Sequence, residues 1–304
     1  MFKVTILGSN GALPAYDRLP TAQYLQVQNQ HFLIDCGEGT QLQLMKYQLP
    51  YQKINHIFIS HLHGDHYLGL MGLLFSMQLL GRKNELHIYG IKGLDEIITL
   101  QLRHSKSAFG YPVHFHKMEY EAGVIFENDQ LSVTSLPLLH KVPCCGFLFS
   151  EKPKPRHINK EKLSPGMRLQ DIATLKMGRD VYDDHGKLLY RNEDYTLPPK
   201  KSLRYAYCSD TAYHEPLIEL IKGVDLLYHE ATFLEEHMDK AKETLHSTAS
   251  QAATVASRAQ VKQLLIGHYS ARYRELDALW REANAVFPNT RLAKEGETID
   301  LESP

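Results

Sequence analysis

The sequence lacks the features that would place it outside the cell or within a membrane. Its 304 residues include only four cysteines, Cys36, Cys144, Cys145 and Cys208, and no C-x-x-C pair. That usage excludes a disulfide framework and is typical of reduced thiols in a cytosolic protein. No run approaches the ~18 to 20 apolar residues of a membrane span, and the first residues contain no long apolar region or cleavage site. We therefore expect a soluble, cytoplasmic protein.

A strong overall charge is also absent. The chain has 34 Lys and Arg against 35 Asp and Glu, so its formal net charge is -1. No global field would attract nucleic acid, and a polyanionic substrate would need a local basic patch. Hydrophobic residues make up 43% of the chain and charged residues 23%, values that are typical of a globular protein with ample material for a core.

The most informative stretch is Ser-His-Leu-His-Gly-Asp-His at residues 60–66. It follows the apolar run 57–59, which is typical of a buried strand, and precedes the Leu/Met/Gly-rich segment 68–80, which is expected to be helical. The stretch therefore lies at the end of a strand, in the turn before a helix. A single histidine among the 17 in the chain would be an ordinary surface or core residue, but four potential ligands within six residues indicate a metal site.

The four ligands of this stretch fall into two pairs. His61 and His63 are two residues apart, so both can leave an extended backbone on the same side. Gly64 permits a sharp turn. Asp65 and His66 then point elsewhere, close enough to hold a second ion, and the two pairs together predict two metal ions side by side.

Further potential ligands follow other predicted strands. His140 ends the β-rich run 131–139, although a histidine there could also be an interfacial residue. Asp210 ends a strand at 205–209, and its two oxygens could each bind one ion. His268 follows the strand at 261–266. The candidate metal ligands are therefore His61, His63, Asp65, His66, His140, Asp210 and His268. Oxygen and imidazole ligands without thiolate fit Zn²⁺, with Mn²⁺ or Fe²⁺ as alternatives.

Two neighbouring ions suit hydrolysis of a phosphodiester, because they activate water and stabilise both the attacking and the leaving oxygen. Asp65 is the carboxylate best placed to accept the proton of the attacking water. His229 and His246 could donate to the developing oxyanion or the leaving oxygen, and Glu230 could orient one of them. Taken singly, each of these two histidines could equally be a core or surface residue.

The order of elements predicts the fold class. Strand and helix patterns alternate, with β-hairpins early in the chain, which fits an α/β protein with two sheets sandwiched between helices. Asp35, at the end of a predicted strand, is either a carboxylate that orients a ligand histidine or a helix cap. The Gly/Ser-rich loop 8–11 is either a phosphate-binding loop or a simple turn.

Residues 151–200 differ from the rest of the chain, because hydrophobic periodicity weakens and Pro, Gly and charge increase. Residues 151–180 contain eight Lys or Arg and four Asp or Glu, a local charge of +4. The segment is either a solvated surface insertion or an arm that grips phosphates while the core does chemistry. Insertions this long within a compact domain are usually functional.

Taken together, the motifs resemble those of ribonuclease Z, a tRNA 3′-processing family of the metallo-β-lactamase superfamily. The H-x-H-x-D-H pattern at 61–66 is the pattern of the superfamily. The matching motifs, in chain order, are Gly8-Ser9-x-Gly-x-x-Pro14, Asp35–Gln41, Ser60–His66, Tyr207–Thr211, His229–Thr232, His246–Thr248 and Gly267–Ser270. They cover nearly the whole chain at the length of the short form. The arm departs from many bacterial members, because Ser164-Pro165-Gly166 and Leu175–Gly178 contain no Gly-Pro pair.

The resemblance implies a single metallo-β-lactamase domain over residues 1–304, a four-layer αββα sandwich with residues 151–200 inserted as a protruding tRNA-binding arm. It implies one Zn²⁺ held by His61, His63, His140 and Asp210, and a second held by Asp65, His66, Asp210 and His268. Asp65 is carried over as the proton acceptor. His229 and His246 are carried over as phosphate contacts that assist the leaving group.

The implied reaction is endonucleolytic removal of the 3′ trailer from precursor tRNA, leaving a 3′-hydroxyl on the tRNA and a 5′-phosphate on the trailer. The implied assembly is a homodimer in which one subunit's arm holds tRNA for the other's site. One alternative is another hydrolase of the superfamily, such as a small-molecule phosphodiesterase, a thioesterase or an arylsulfatase-like enzyme, which would not need the basic arm. Another is a non-catalytic nucleic-acid-binding protein, which should have lost a ligand, whereas all seven are present.

Overall fold

The computed structural model describes residues 1–164 and 166–303, so Pro165 of the predicted arm lies outside the described residues. The chain forms two compact units. The larger unit comprises Met1–Phe126, Val133–Phe149 and Leu203–Pro304. The smaller comprises Glu127–Ser132 and Ser150–Ser202, so it takes in the predicted insertion and also a short segment that the sequence did not single out.

Most of the strands belong to two large sheets. In chain order the strands are β1 (Phe2–Gly8), β2 (Ala22–Val27), β3 (Gln30–Ile34), β4 (Ile54–Phe58), β5 (Leu86–Ile91), β6 (Val113–Met118), β7 (Gly123–Glu127), β8 (Leu131–Leu138), β9 (Cys144–Glu151), β10 (His157–Ile158), β11 (Val181–Tyr182), β12 (Leu188–Tyr190), β13 (Thr196–Leu197), β14 (Arg204–Cys208), β15 (Leu226–Glu230), β16 (Gln263–Gly267), β17 (Thr290–Leu292) and β18 (Thr298–Asp300). One seven-stranded sheet has the order β18-β1-β2-β3-β4-β5-β6 and the other the order β17-β16-β15-β14-β9-β8-β7.

Helices cover the outer faces of both sheets. In chain order the helices are α1 (Thr40–Lys46), α2 (Gly64–Tyr67), α3 (Leu70–Leu79), α4 (Leu94–Ser105), α5 (Leu169–Lys176), α6 (Asn192–Tyr195), α7 (Glu215–Leu220), α8 (Met238–Thr244), α9 (Ala249–Arg258) and α10 (Asp277–Val286). Buried side chains of α1, α3 and α4 pack on the first sheet, and those of α7, α9 and α10 pack on the second. Aliphatic side chains dominate both outer layers, because helices present a continuous apolar face to a sheet.

Aromatic side chains fill the layer between the two sheets. The ring of Phe58 on β4 lies 5.5 Å from that of Phe147 on β9, centroid to centroid. The rings of Tyr207 and Tyr228 stack at 5.0 Å. The order helix, sheet, sheet, helix confirms the predicted four-layer sandwich, which is held together by the hydrophobic burial of both faces of each sheet.

Parallel pairing brings the ends of several strands to one place. Strands β3 to β6 are parallel neighbours in the first sheet, and β14 to β17 are parallel neighbours in the second. The segments that follow β4, β14, β15 and β16 therefore leave their sheets at the carboxyl edge, the edge at which open α/β sheets bind ligands. Those segments carry the Ser60–His66 stretch, Asp210, Thr232 and His268.

The smaller unit combines buried apolar side chains, such as Leu175 and Val181, with polar contacts. It contains the two-stranded sheets β10-β13 and β11-β12 together with α5 and α6. The backbone N–H of Asn192 donates to Asp180 Oδ1 at 2.6 Å, and Arg156 Nε donates to Thr196 Oγ1 at 2.7 Å. Across residues 1–164 and 166–303, no helix has the length and apolar character needed to cross a bilayer.

Candidate metal centre

The structure brings all seven predicted metal ligands together, in two groups. His61, His63, His140 and Asp210 form one group, and Asp65, His66 and His268 form the other. Within each group the potential ligand atoms lie within 4.8 Å of one another. Each group mixes imidazole nitrogens with at least one carboxylate oxygen, a donor set that suits Zn²⁺.

Asp210 lies between the two groups. Its Oδ1 is 2.9 Å from His268 Nε2 and 3.3 Å from His66 Nε2. Its Oδ2 is 3.6 Å from the Nε2 atoms of both His61 and His140. The two oxygens of one carboxylate thus face different groups, which is the geometry that a bridging ligand requires.

Three residues at this centre have a strained, left-handed backbone. Asp35, Asp210 and His268 each lie just beyond the end of a strand and have φ of 54°, 63° and 57°. The left-handed region costs an L-residue roughly 1 to 2 kcal/mol, which the surrounding fold must offset. Such strain commonly marks functional sites, since it turns a side chain into a direction that the strand itself would not give.

Buried nitrogen atoms test whether a cation fits. The Nε2 atoms of His61, His66 and His268 are buried, and none has a hydrogen-bond partner within residues 1–164 and 166–303. Carboxylate oxygens lie close to them but outside hydrogen-bonding geometry. Buried polar atoms are normally hydrogen-bonded. Three buried Nε2 atoms that face the same place without a hydrogen-bond partner therefore indicate a missing ligand, and a metal ion would bind them.

The charges of the centre also indicate that a cation fits there. Burial by itself lowers the pKa of His268, but Asp210 and Asp65 outweigh it and raise that pKa to about 10. Burial likewise raises the pKa of Asp65, but His66 and His268 hold it well below its usual range. The buried carboxylates therefore demand positive charge, which divalent cations would supply in place of protons. The residues present fit a divalent metal centre.

Asp35 orients one of the ligands. It is fully buried, and its Oδ2 lies 2.7 Å from His66 Nδ1. The same carboxylate accepts from the backbone N–H of Ser60 at 2.7 Å and from the Tyr207 hydroxyl at 2.6 Å. Because Nδ1–H is engaged, His66 presents Nε2 to the centre. This contact selects the orienting role over the helix cap, and α1 begins instead after Gly39.

His140 is oriented by the same principle but by a backbone group. Its Nδ1 donates to the carbonyl oxygen of Leu245 at 3.1 Å, which leaves Nε2 for the centre. The carbonyl is available because Leu245 ends α8 in the left-handed conformation, with φ of 55°. The structure therefore favours His140 as a member of the ligand group over the alternative of an interfacial histidine.

Glu230 is a fully buried carboxylate beside the centre. Its Oε1 lies 2.7 Å from His246 Nδ1 and accepts from the backbone N–H of Thr211 at 2.8 Å. Its Oε2 accepts from the Thr232 hydroxyl at 2.5 Å and from the backbone N–H of Ser247 at 3.1 Å. Burial lowers the pKa of His246, but Glu230 outweighs it and the pKa is raised. Glu230 therefore orients His246 and favours its protonated form.

His229 does not join this arrangement. Its side chain is fully buried, its Nδ1 donates to the backbone carbonyl oxygen of Glu230 at 2.8 Å, and burial lowers its pKa. It is not among the residues that line the cavity at the centre, whereas His246 is. Consecutive residues of a strand point to opposite faces, so His229 and Glu230 cannot both face the same site.

A cavity of about 520 Å³ opens onto the centre. His63, Asp65, Asp210, His246 and His268 supply its polar wall. Its apolar wall includes Leu13, Leu68 and Phe233. The cavity thus combines a charged reaction centre with flat apolar surface, on which a nucleobase or another ring could pack.

A loop between β1 and β2 closes one side of the cavity, and its contribution was not predicted from the sequence. The backbone N–H of Ala12 donates to Asp65 Oδ2 at 2.7 Å. Gly11 leaves no room for a side chain, because a Cβ there would lie 2.5 Å from His268 Cε1. The Gly/Ser-rich loop therefore supports the ligands directly, and no residue type in its sequence signals that role.

Glu295, which lies near the C-terminal end of the sequence, holds the loop between β1 and β2 in place. Its Oε1 accepts from the backbone N–H groups of Leu19 at 2.6 Å and Ser9 at 3.3 Å, and its Oε2 accepts from Gln43 Nε2 at 2.5 Å. We expect Glu295→Ala to destabilise the fold by about 2 kcal/mol, since buried donors lose their acceptor. The turnover number on the natural substrate should fall about tenfold through the loop that supports Asp65.

Urea unfolding and steady-state kinetics would check this prediction. Glu275→Ala, at an exposed position, is the matched control and should leave both quantities unchanged. An unaltered turnover number in Glu295→Ala, at a concentration where the variant is folded, would show that the loop holds its position without Glu295.

The fold and the two ligand groups define a protein of the metallo-β-lactamase fold with a candidate metal centre. A solved structure of that description, the metallo-beta-lactamase fold protein YhfI from Bacillus subtilis, superposes with a TM-score of 0.69 at 20% identity and covers 98% of each chain. Human tRNase Z, short form, superposes with a TM-score of 0.71 at 27% identity, covering 98% of this chain and 99% of that one. A profile described as Anti-Pycsar protein Apyc1 matches residues 2–152.

Relatives identified by sequence show which family of this fold the chain belongs to. The chain is 46% identical to Ribonuclease Z of Bacteroides fragilis over 99% of both chains. It is 48% identical to Ribonuclease Z of Cytophaga hutchinsonii over 98% of this chain and 96% of the relative. The chain belongs to the ribonuclease Z family.

Proposed function

We propose that this protein is the endoribonuclease that removes the 3′ trailer from precursor tRNA. The observation that carries the proposal is the pair of ligand groups joined by Asp210, with His246 beside them at the mouth of one cavity. Family membership over the whole chain supports the same activity. With two divalent ions bound, a site of this kind would stabilise charge on both the attacking and the leaving oxygen of a phosphodiester, whatever RNA it acts on.

Two Zn²⁺ ions per subunit are part of the proposal, with Mn²⁺ or Fe²⁺ able to occupy the same donors. One ion would be held by His61, His63, His140 and Asp210, and the other by Asp65, His66, Asp210 and His268. When bound, the ions would activate water and neutralise the scissile phosphate. We further propose a cytoplasmic location and a homodimer, in which each subunit binds tRNA for its partner's site.

The chain's own residues would then move the protons. Asp65 accepts a proton from the attacking water, and the hydrogen bond from the Ala12 N–H fixes one of its oxygens. His246 is held at Nδ1 by Glu230 and donates a proton from Nε2 to the leaving 3′-oxygen. The raised pKa of His246 keeps that proton available near neutral pH. His229 positions the Glu230 backbone and need not touch phosphate.

His246 and His229 can be separated experimentally. We expect His246→Gln to lower the turnover number about 10²-fold or more, since a general acid is lost. His229→Gln should lower it much less, because its contact is with backbone. Thermal unfolding of both variants controls for damage to the fold. Equal losses in two folded variants would contradict the separation of roles.

The experiment that tests the function is cleavage of an unprocessed precursor tRNA by the Zn²⁺-loaded protein, with both new ends mapped. The expected result is one cut at the 3′ side of the acceptor stem that disappears when a chelator removes the metal. Hydrolysis of a small phosphodiester or thioester without any cut in precursor tRNA would instead assign a small-molecule hydrolase of the same fold.

We propose the smaller unit as the tRNA-binding arm, on the strength of the +4 charge of residues 151–180. Deleting residues 155–195 should raise KM for precursor tRNA at least about tenfold, because lost cationic contacts to phosphate weaken binding, and should reduce its salt dependence. Hydrolysis of a small phosphodiester, measured on the same preparation, should be retained. A parallel loss of both activities would contradict an arm that only binds.

A further inference from the structure

A row of imidazoles crosses the first sheet well away from the metal centre. His56 on β4 is paired in register with His87 on β5, and His87 is paired with His114 on β6. The rings are nearly parallel, with centroids 5.1 Å and 5.0 Å apart. His56 precedes the ligand His61 by five residues, roughly 16 Å of extended chain. The row therefore belongs to a different part of the molecule from the catalytic ligands.

One carboxylate reaches two of these imidazoles. Glu85 lies two residues before His87 and so projects from the same face of the sheet. Its Oε1 is 3.6 Å from His87 Nε2, and its Oε2 is 3.4 Å from His114 Nε2. Ligand atoms of a tetrahedral zinc site at ordinary bond lengths are about 3.4 Å apart. The two carboxylate-to-imidazole spacings are of that size, but the stacked rings of His87 and His114 hold their nitrogen atoms farther apart, so the exposed His114 ring must turn toward His87 to bind the same ion.

The three groups are open to solvent to different extents. The exposed fraction is 62% for the Glu85 side chain, 47% for His114 and 23% for His87. A cavity of about 380 Å³, lined in part by Glu85, His87 and His56, gives access to the row. The exposed side chains of Glu85 and His114 can adjust their rotamers around an ion that arrives from solvent.

We propose that Glu85, His87 and His114 form a second type of metal site, which binds a divalent transition-metal ion such as Zn²⁺ from solution. The ligand set is two imidazole nitrogens and one carboxylate, with water completing the coordination. The site is separate from the hydrolytic centre and does not depend on the activity proposed for it. Its class of ligand is the bare cation.

Neighbouring groups prepare His87 for this role. Its Nδ1 lies 2.9 Å from His116 Nε2, a contact that fixes the ring and leaves Nε2 directed toward Glu85. His116 in turn stacks on Tyr89 at 4.5 Å.

Arg82 fixes the backbone from which Glu85 projects. Its guanidinium is largely buried, and its Nη2 donates to the Glu85 carbonyl oxygen at 2.6 Å and to Asn55 Oδ1 at 2.9 Å. The same guanidinium donates to the Ile54 carbonyl oxygen at 2.9 Å, which ties the start of β4 to the start of β5. The turn that presents the carboxylate is therefore rigid, while the carboxylate itself is exposed and adjustable.

The test measures metal content rather than activity. Full-length protein is dialysed to equilibrium against micromolar Zn²⁺, and bound zinc is counted per chain by mass spectrometry. We expect the double variant Glu85→Gln, His114→Gln to bind one Zn²⁺ fewer per chain than the unmodified protein. His104→Gln, an exposed histidine on α4 outside the row, is the matched control and should lose none.

A second background separates this site from the hydrolytic centre. When Asp210→Asn removes the bridging carboxylate, the same double variant should still lower bound zinc by one ion per chain. Equal zinc content with and without the double variant, in either background, would overturn the proposal, even if precursor tRNA is cleaved as expected.

Discussion

Replacing Asp210 by asparagine should abolish cleavage of precursor tRNA and lower the affinity for both divalent ions of the hydrolytic centre. The Asp210 carboxylate oxygens approach the Nε2 atoms of imidazoles in both ligand groups, at 2.9 Å to 3.6 Å. An amide carries no negative charge and offers a single acceptor oxygen, so it cannot serve two ions. We expect a loss of at least about 10³-fold in turnover, equivalent to ~4 kcal/mol of transition-state stabilisation.

Asp65→Ala is the variant with which Asp210→Asn should be compared. Asp65 belongs to the second ligand group only, so the group of His61, His63, His140 and Asp210 stays intact. We expect this variant to retain one tightly bound ion and to bind precursor tRNA without cutting it, because the proton acceptor is gone. Zinc counting and tRNA binding measured alongside cleavage would distinguish the two variants. If Asp210→Asn kept two ions, the bridging role would be wrong.

Local sequence patterns predicted the metal centre because its ligands lie at a repeated structural position. Each ligand lies in the segment that follows an apolar strand, and parallel pairing brings the segments after β4, β14 and β16 to the carboxyl edges of their sheets. His229 shows the limit of motif-based assignment. It stands next to Glu230, but alternation along a strand directs neighbouring side chains to opposite faces. The alternation of side chains that identifies the strand in the sequence could therefore also have assigned His229 and Glu230 to opposite faces of it.

Contacts that depend on tertiary register could not be predicted in the same way. Glu295 lies 276 residues from Leu19, whose N–H it accepts, and no local motif marks it. The pairing of His87 with His114 depends on the alignment of β5 with β6, which a one-residue shift would abolish. The segment 127–132 joins the smaller unit for the same reason. Charge and weak hydrophobic periodicity identified the insertion in the sequence. They did not identify segment 127–132, which packs with it.

Asp35→Ala should produce a large loss of stability. The carboxylate accepts from two donors of Ser60, from His66 Nδ1 and from the Tyr207 hydroxyl, and all of these groups are buried. Burial, with Asp35 adding to it, raises the pKa of Tyr207, so its hydroxyl remains a donor. Each buried donor left without an acceptor costs ~1 to 3 kcal/mol, and alanine also tolerates the left-handed backbone at φ 54° poorly.

We therefore expect Asp35→Ala to lower the free energy of unfolding by about 4 kcal/mol or more, a large share of the 5 to 15 kcal/mol that is roughly typical of a folded protein. Asp35→Asn is the matched variant, because asparagine accepts the left-handed conformation and retains one acceptor oxygen. Its loss of stability should be about half as large, while the ion bound through His66 weakens about 10- to 100-fold in both variants. Urea unfolding with zinc titration measures both quantities. An Asp35→Ala protein that unfolds at the normal urea concentration and keeps its zinc would mean that His66 is oriented by other groups.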